Sequence, residues 1–328
     1  MIRIELLSRV DNLCDYTFNF CWHNRQLDPD APIPNQDGTE YTYRDLTDAL
    51  KTETEVHITG DVGERLAQGM GADIRHLGGT GGIGTGTTSR IFVDGDVGAE
   101  AGLGMVAGTV YVSGSVEEPL GNIIEVRSDV AGYRKFVSIT DLLCNHLPEE
   151  PVSNSLDHGG AEGMRLVLND NILRGTLCAR CDCPVDLLVE GDAHNGTGLL
   201  LRQGTVTVTG DAGMNTGAHL NGGTVVVRGA VGEFAGAYMK SGVLLVGGGR
   251  GYAGANMKGG AIYSRRKIAT SPPAEKTRIT GADMSLIRKL TGAGRFESMR
   301  YSKYELGTSE KYMAVPMRDG SLVMRRVD

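Results

Sequence analysis

Gly210-Asp-Ala-Gly-Met-Asn-Thr-Gly-Ala-His-Leu-Asn-Gly-Gly-Thr-Val-Val-Val-Arg228 reads as one complete structural unit. It opens on Gly210-Asp211, carries Gly213 and Gly217, and places Leu220 behind them. It closes on a glycine pair and the β-branched run 224–227. The design returns 19 residues later as Gly229-Ala230, Gly232, Gly236, Met239, Gly242 and the apolar run 243–246. A further copy has Gly248-Gly249, Gly251, Gly254, Met257 and Gly260-Ala-Ile-Tyr263, and Gly191-Asp192 opens the unit before. A fixed period of this length specifies stacked supersecondary units rather than a compact sandwich or a doubly wound sheet.

A β residue advances about 3.3 Å, so one unit can travel once around a small three-cornered coil. The next unit then pairs with it in parallel at strand spacing. The fold class expected is all-β: a right-handed single-stranded parallel β-helix with short capping helices. The hand follows the general preference of parallel crossovers. Corners need positive φ or close backbone approach, and glycine gives both. The turn glycines are Gly60, Gly95, Gly114, Gly191, Gly210, Gly229 and Gly248. The Asp that follows several of them can accept from a free backbone N–H at the turn.

The pattern divides the chain in three. Residues 1–55 read as an N-terminal cap segment, with a strand over 3–7 and a Pro-rich stretch over 28–34. Thr42-Tyr43-Arg44-Asp45 is a capping box opening a short helix with Leu46, Ala49 and Leu50 on one face. Residues 56–270 carry the repeats. Gly60-Asp-Val-Gly63 returns 35 residues on as Gly95-Asp-Val-Gly98, so residues 78–86 pad one turn. Gly114-Ser115 restores the period. An insertion over 117–157 reads as a strand (123–127), a loop and a helix from Thr140 onward. Residues 271–328 form a helix capped by Thr280 and Asp283 and stopped at Gly292, then a tail with a hairpin around Arg318-Asp319-Gly320. Exposed strands at the ends of a stack need covers. The two helices, 42–51 and 281–292, are the expected caps.

Composition narrows the function. Gly is 48 of 328 residues and Pro only 10, so the glycine belongs to ordered turns. The net charge of −7 and the lack of a basic block with aromatics argue against nucleic acid. Six Cys make no disulfide framework and point to a reducing cytoplasm. No apolar run approaches the roughly 18–20 residues that span a bilayer. The opening Met-Ile-Arg-Ile-Glu-Leu-Leu lacks the apolar core of a signal peptide.

Several motifs invite chemistry. Gly79-Thr-Gly-Gly-Ile-Gly84 matches a dinucleotide fingerprint, but no helix pattern follows it. The overlapping Gly81-x4-Gly86-Thr87-Thr88 has Thr where a phosphate loop has Lys. An elaborated glycine turn is the plainer reading. Cys178, Cys181 and Cys183 could hold a metal, with Cys144 or His194 as a fourth ligand. The plainer reading is that they are small apolar fillers of stacked interior positions. Alternation puts Cys181 and Cys183 on one face. His158-Gly159-Gly160 has no nucleophile elbow to serve. Cys21-Trp22-His23-Asn24 is no evidence for a dyad, and His57, His76, His146 and His219 show no ligand spacing.

The units 210–227 and 251–260, the latter ending Met257-Lys258-Gly259-Gly260, resemble the Gly-x-x-Gly-x3-Gly repeats of one family. It includes the C-terminal domain of glutamate synthase and the C subunit of formylmethanofuran dehydrogenase. The ending and the stand-alone length are more similar to the latter. The resemblance implies a right-handed parallel β-helix with no catalytic residue and no cofactor of its own. Such a chain is a scaffold subunit of a molybdenum or tungsten oxidoreductase complex that reduces CO2 to a formyl group, or runs the reverse. Amidohydrolase-like and pterin-binding partners then carry the molybdopterin or tungstopterin, the iron–sulfur clusters and a binuclear metal site. The insertion and tail are expected to grip them. The alternatives are the β-helix component of a split glutamate synthase, and a stand-alone metal protein built on Cys178, Cys181 and Cys183.

Overall fold

The computed structural model describes residues 1–18, 27–74, 79–82, 84, 88–157, 163–307, 311–316 and 322–327, with side chains through residue 307. Its elements in chain order begin with β1 (Ile2–Leu6), β2 (Gln36–Asp37), α1 (Tyr43–Lys51), β3 (Val56–Thr59), β4 (Arg90–Asp94) and β5 (Thr109–Val112). A wedge follows, made of β6 (Ile123–Val126), β7 (Arg134–Ser138) and α2 (Ile139–Cys144). The second stack holds β8 (Ser155–Asp157), β9 (Met164–Leu168), β10 (Val185–Val189), β11 (Thr205–Val208), β12 (Asn221–Val231), β13 (Ser241–Gly249) and β14 (Ala261–Ser264). The tail has β15 (Ala274–Thr277), α3 (Gly281–Thr291), α4 (Arg295–Ser298), β16 (Ser302–Leu306), β17 (Lys311–Pro316) and β18 (Leu322–Val327).

Alternation along each strand builds the parallel coil. Leu166, Leu187, Val206, Val225, Leu244 and Ile262 are each fully buried, and each pairs in register with its successor one coil on. Ile4, Ile58, Val93 and Val112 form the matching ladder of the first stack. Burying each such side chain stabilises the stack by about 1.5–3 kcal/mol.

The array begins earlier than the glycines indicate. β1 pairs in parallel with β3 (Ile2↔Val56). Gly63 N donates to Val10 O at 3.0 Å, and Ala67 N to Leu13 O at 3.0 Å. Residues 2–17 are therefore the first coil, not part of a cap segment. A Cβ on Gly60 would lie 2.6 Å from Leu6 O, the carbonyl beneath it. The first coil has no coil beneath, so its own corner needs no glycine and shows no period.

The corner glycines serve close approach more than unusual φ. Gly114, Gly210 and Gly229 donate to Gly95, Gly191 and Gly210 carbonyls at 3.1, 2.8 and 2.9 Å. A Cβ on Gly229 would lie 2.5 Å from Gly210 O. Of the seven turn glycines only Gly60 and Gly191 have a left-handed φ, 104° and 129°. Gly248 is displaced: the offset of 19 at Val227↔Val246 falls to 18 at Ala230↔Gly248. Gly247 takes the corner instead, and its Cβ would meet Gly229 O at 2.6 Å. The following Asp residues tie one coil to the next. Asp96 N donates to Asp61 Oδ1 (2.9 Å), Ser115 N to Asp96 Oδ1 (2.7 Å), Asp211 N to Asp192 Oδ1 (2.7 Å) and Ala230 N to Asp211 Oδ1 (2.7 Å).

At the N-terminal end β2 lies antiparallel on β1. Helix α1 has the expected capping box, and its Leu46 and Leu50 are fully buried in the same core as Ile4 and Leu13. The C-terminal end differs from expectation. Strand β16 lies antiparallel on β14, with β15 beyond it. An antiparallel strand satisfies the edge N–H and C=O groups of β14, which a helix cannot do. Helix α3 instead lays Ile287 on Val226, Leu245 and Tyr263, the outward residues of β12, β13 and β14. It covers a flank.

Among the described residues, the interruption between the stacks falls on the strand-bearing flank. β7 pairs antiparallel with β5, β6 with β7, and β8 with β9. The stretch expected as a loop thus contains β7, with Phe136 and Val137 buried. Elsewhere the coil runs on. Leu120 N donates to Leu173 O (2.8 Å) and Gly175 N to Leu120 O (2.9 Å). Arg174, 2% exposed, pairs with Asp170 at 2.6 Å and donates to Ile123 O at 3.1 Å. Ile124, Ile139 and Leu142 join the core of Leu166 and Leu187, so part of the insertion is interior wedge rather than free surface. Strands β17 and β18 form a hairpin, while Arg318-Asp319-Gly320 lies outside the described residues. No described helix is long and apolar enough to cross a membrane.

Candidate functional site

The wedge brings the C-terminus of α2 against the coil at residues 178–183. Asn122 is the clamp. Its Nδ2 donates to Thr140 Oγ1 (2.7 Å) and its Oδ1 accepts from Cys178 N (2.9 Å). Thr140 Oγ1 donates in turn to Ala179 O at 3.0 Å. Cys144, the last residue of α2, therefore meets the loop of Cys181 and Cys183. Its Sγ is 3.3 Å from Cys181 Sγ, and Cys181 Sγ is 3.5 Å from Cys183 Sγ. Cys144 and Cys183 are disulfide-bonded, with Cα atoms 5.5 Å apart. The three sulfurs lie within 4.8 Å of one another.

Cys181 and Cys183 thus share one face, as alternation requires, and Cys144 completes the group. Cys178 and His194 do not belong to it. Cys178 is fully buried in the core shared with Leu166, and its backbone is left-handed (φ 52°). Burial pushes the Cys181 thiol up to about 11 and that of Cys178 well above the ordinary thiol range. Both are protonated at neutral pH unless a cation replaces the proton.

The glycine loop is closed on itself. Gly81 N donates to Asp73 O (2.7 Å), Asp73 N to Gly82 O (3.1 Å) and Thr80 N to Asp73 Oδ2 (2.7 Å). The bond from the Thr80 backbone holds the Asp73 carboxyl below the usual carboxylate range. The strand β4 follows, and no described helix opens on this loop. Residues 85–87 lie outside the described residues, as do 19–26, 75–78 and 158–162, which hold Cys21, Trp22, His23, His76 and His158.

Arg180 and Arg202 both donate to Gly81 O, fastening this loop to the second stack. With His219, Phe234, Tyr238 and Lys240 they line a groove of about 570 Å³. The rings stack because they sit one coil apart. His219 lies on Tyr238 (4.9 Å, 5°) and Phe234 on Tyr252 (5.0 Å, 13°). On the other stack, Phe92 lies between His57 and Tyr111 at 4.5 and 4.6 Å. His57 and His219, which look scattered in the sequence, are rungs of these ladders. The signal was available, since His219 and Tyr238 are one period apart.

No family model matches the chain. It is similar to an uncharacterized protein of Methanothermobacter thermautotrophicus, 46% identical over 210 residues. That match covers 63% of this chain and 65% of the relative, so it spans less than two thirds of the relative's length. Among solved structures it is similar to a chain of the formyltransferase/hydrolase complex of Methylorubrum extorquens in complex with methylofuran. The identity is 17%, the coverage 91% of each chain and the TM-score 0.27.

Proposed function

We propose that this chain is a non-catalytic scaffold subunit of a formylmethanofuran dehydrogenase-type complex in the cytoplasm. Its partners are amidohydrolase-like and pterin-binding subunits, which carry the molybdopterin or tungstopterin, the iron–sulfur clusters and a binuclear metal site. The observation that carries this reading is the corner-glycine repeat realised as a parallel β-helix. The repeat resembles that of the family's scaffold subunits, and the coil stacks glycine on glycine as such a repeat requires. Phe296 and Met299 in and beside α4, which follows the helix that covers a flank, add support, being 85% and 58% exposed and three residues apart.

The test is affinity isolation of the intact chain from native extract. Stoichiometric recovery of pterin-binding and amidohydrolase-like subunits is the expected result. Recovery of the chain alone overturns the proposal. Recovery of glutaminase and flavin synthase subunits also overturns it, in favour of a split glutamate synthase.

A further inference from the structure

The scaffold role leaves one group of side chains unused: the three sulfurs at the junction of wedge and coil. We infer that the reduced chain binds one thiophilic divalent ion of the Zn2+ class through Cys144, Cys181 and Cys183. The site is independent of the scaffold reading.

Zinc–thiolate bonds of about 2.3 Å place tetrahedral sulfurs roughly 3.8 Å apart. The sulfurs here already lie within 4.8 Å of one another. Cys181 and Cys183 come from one loop and Cys144 from a separate helix end, so the fold closes the chelate. The Asn122–Thr140–Ala179 hydrogen bonds fix the two elements to each other. Cys181 is fully buried, whereas Cys144 and Cys183 are partly exposed and give an ion its entry. Three thiolates leave one tetrahedral position for an outside ligand at that rim. Binding converts three thiols to thiolates and releases three protons.

The disulfide makes the site redox-gated. A small-molecule disulfide oxidant takes two electrons and two protons from the Cys144 and Cys183 thiols, leaves as two thiols, and so joins Cys144 to Cys183 and removes two of the three ligands. A dithiol reductant reverses this. It gives two electrons and two protons to the disulfide, restores both thiols, and becomes a cyclic disulfide itself. Ion binding and the disulfide therefore exclude each other.

The experiment uses the full chain, reduced with excess dithiol and desalted without oxygen, then titrated with Co2+ and with Zn2+. One Co2+ per chain is expected, with an intense thiolate-to-cobalt absorption that Zn2+ abolishes. The oxidised chain takes up none. Cys144→Ser, Cys181→Ser and Cys183→Ser each weaken binding at least about tenfold. Cys178→Ser leaves the stoichiometry at one. Circular dichroism confirms folding of each variant, and the oxidised and reduced wild-type arms need no substitution. A reduced wild-type chain that takes up neither ion overturns the inference. So does loss of the cobalt band in folded Cys178→Ser with retention in Cys144→Ser.

Discussion

The two stacks differ in how far apart in sequence their stacked strands lie. In the second stack the successive offsets from β9 to β14 are 21, 19, 19, 19 and 18 residues. In the first stack they are 54 (Ile2↔Val56), 35 (Val56↔Ile91) and 19 (Arg90↔Thr109). The inner ladders are nevertheless alike: apolar, buried and paired in parallel. The coil therefore tolerates long insertions, provided the chain leaves at a corner and returns to the same rung. Loop-closure cost rises only slowly with length, so the extra residues cost little. The inner ladder is the invariant, and the period is only what remains when nothing is inserted.

If both stacks belong to one coil, the largest loss should come where they join. Arg174→Ala leaves Asp170 buried without its partner and is expected to cost about 3–5 kcal/mol, measured by chemical denaturation. A cost near zero would mean that the junction bears no load. Equivalent rungs come next. Leu187→Ala in the second stack and Ile58→Ala in the first should each cost about 2–5 kcal/mol. A clearly smaller loss at Ile58 would break the equivalence of the stacks.

The glycines separate by mechanism. Gly229→Ala drives a Cβ into the Gly210 carbonyl, at the upper end of overpacking costs, about 3 kcal/mol. Gly104→Ala meets open space and only the penalty of its left-handed φ of 64°, about 1–2 kcal/mol. Equal melting shifts for the two variants would refute that division.

The smallest effect lies outside the coil. Burial alone would raise Asp283, but hydrogen bonds from Thr280 and Tyr263, with Lys303 nearby, bring it down to about 2. Its stabilisation is therefore full above the ordinary carboxylate range near pH 4 and fades as pH falls towards 2. Asp283→Asn should cost about 1 kcal/mol at pH 7, and its melting curve should converge on that of the parent as pH approaches 2.

The second stack was legible because its corners bring backbone against backbone, and only glycine fits there. The first coil was not legible, because nothing lies beneath it to demand glycine. The slip to Gly247 was hidden by three consecutive glycines, any of which suits a corner. Strand β7 read as loop because Arg134-Lys135-Phe136-Val137 shows no apolar–polar alternation, although Gly132 marks a turn just before it. The cysteine group was half legible. Its Cys181–Cys183 pair follows from local spacing, whereas Cys144, one of two candidate fourth ligands in the sequence, arrives through the wedge, 39 residues away from Cys183. Cys178 looked equivalent in sequence, yet its backbone and burial turn it into the core.

The central claim is that one parallel coil runs through the junction. Native-state hydrogen exchange of the Leu120 and Gly175 amides tests it directly, because these two N–H groups bond across that junction. Protection comparable to that of the Gly210 and Gly229 amides within the second stack is the predicted result. Exchange at the rate of exposed loops, while both stacks stay protected, would contradict it.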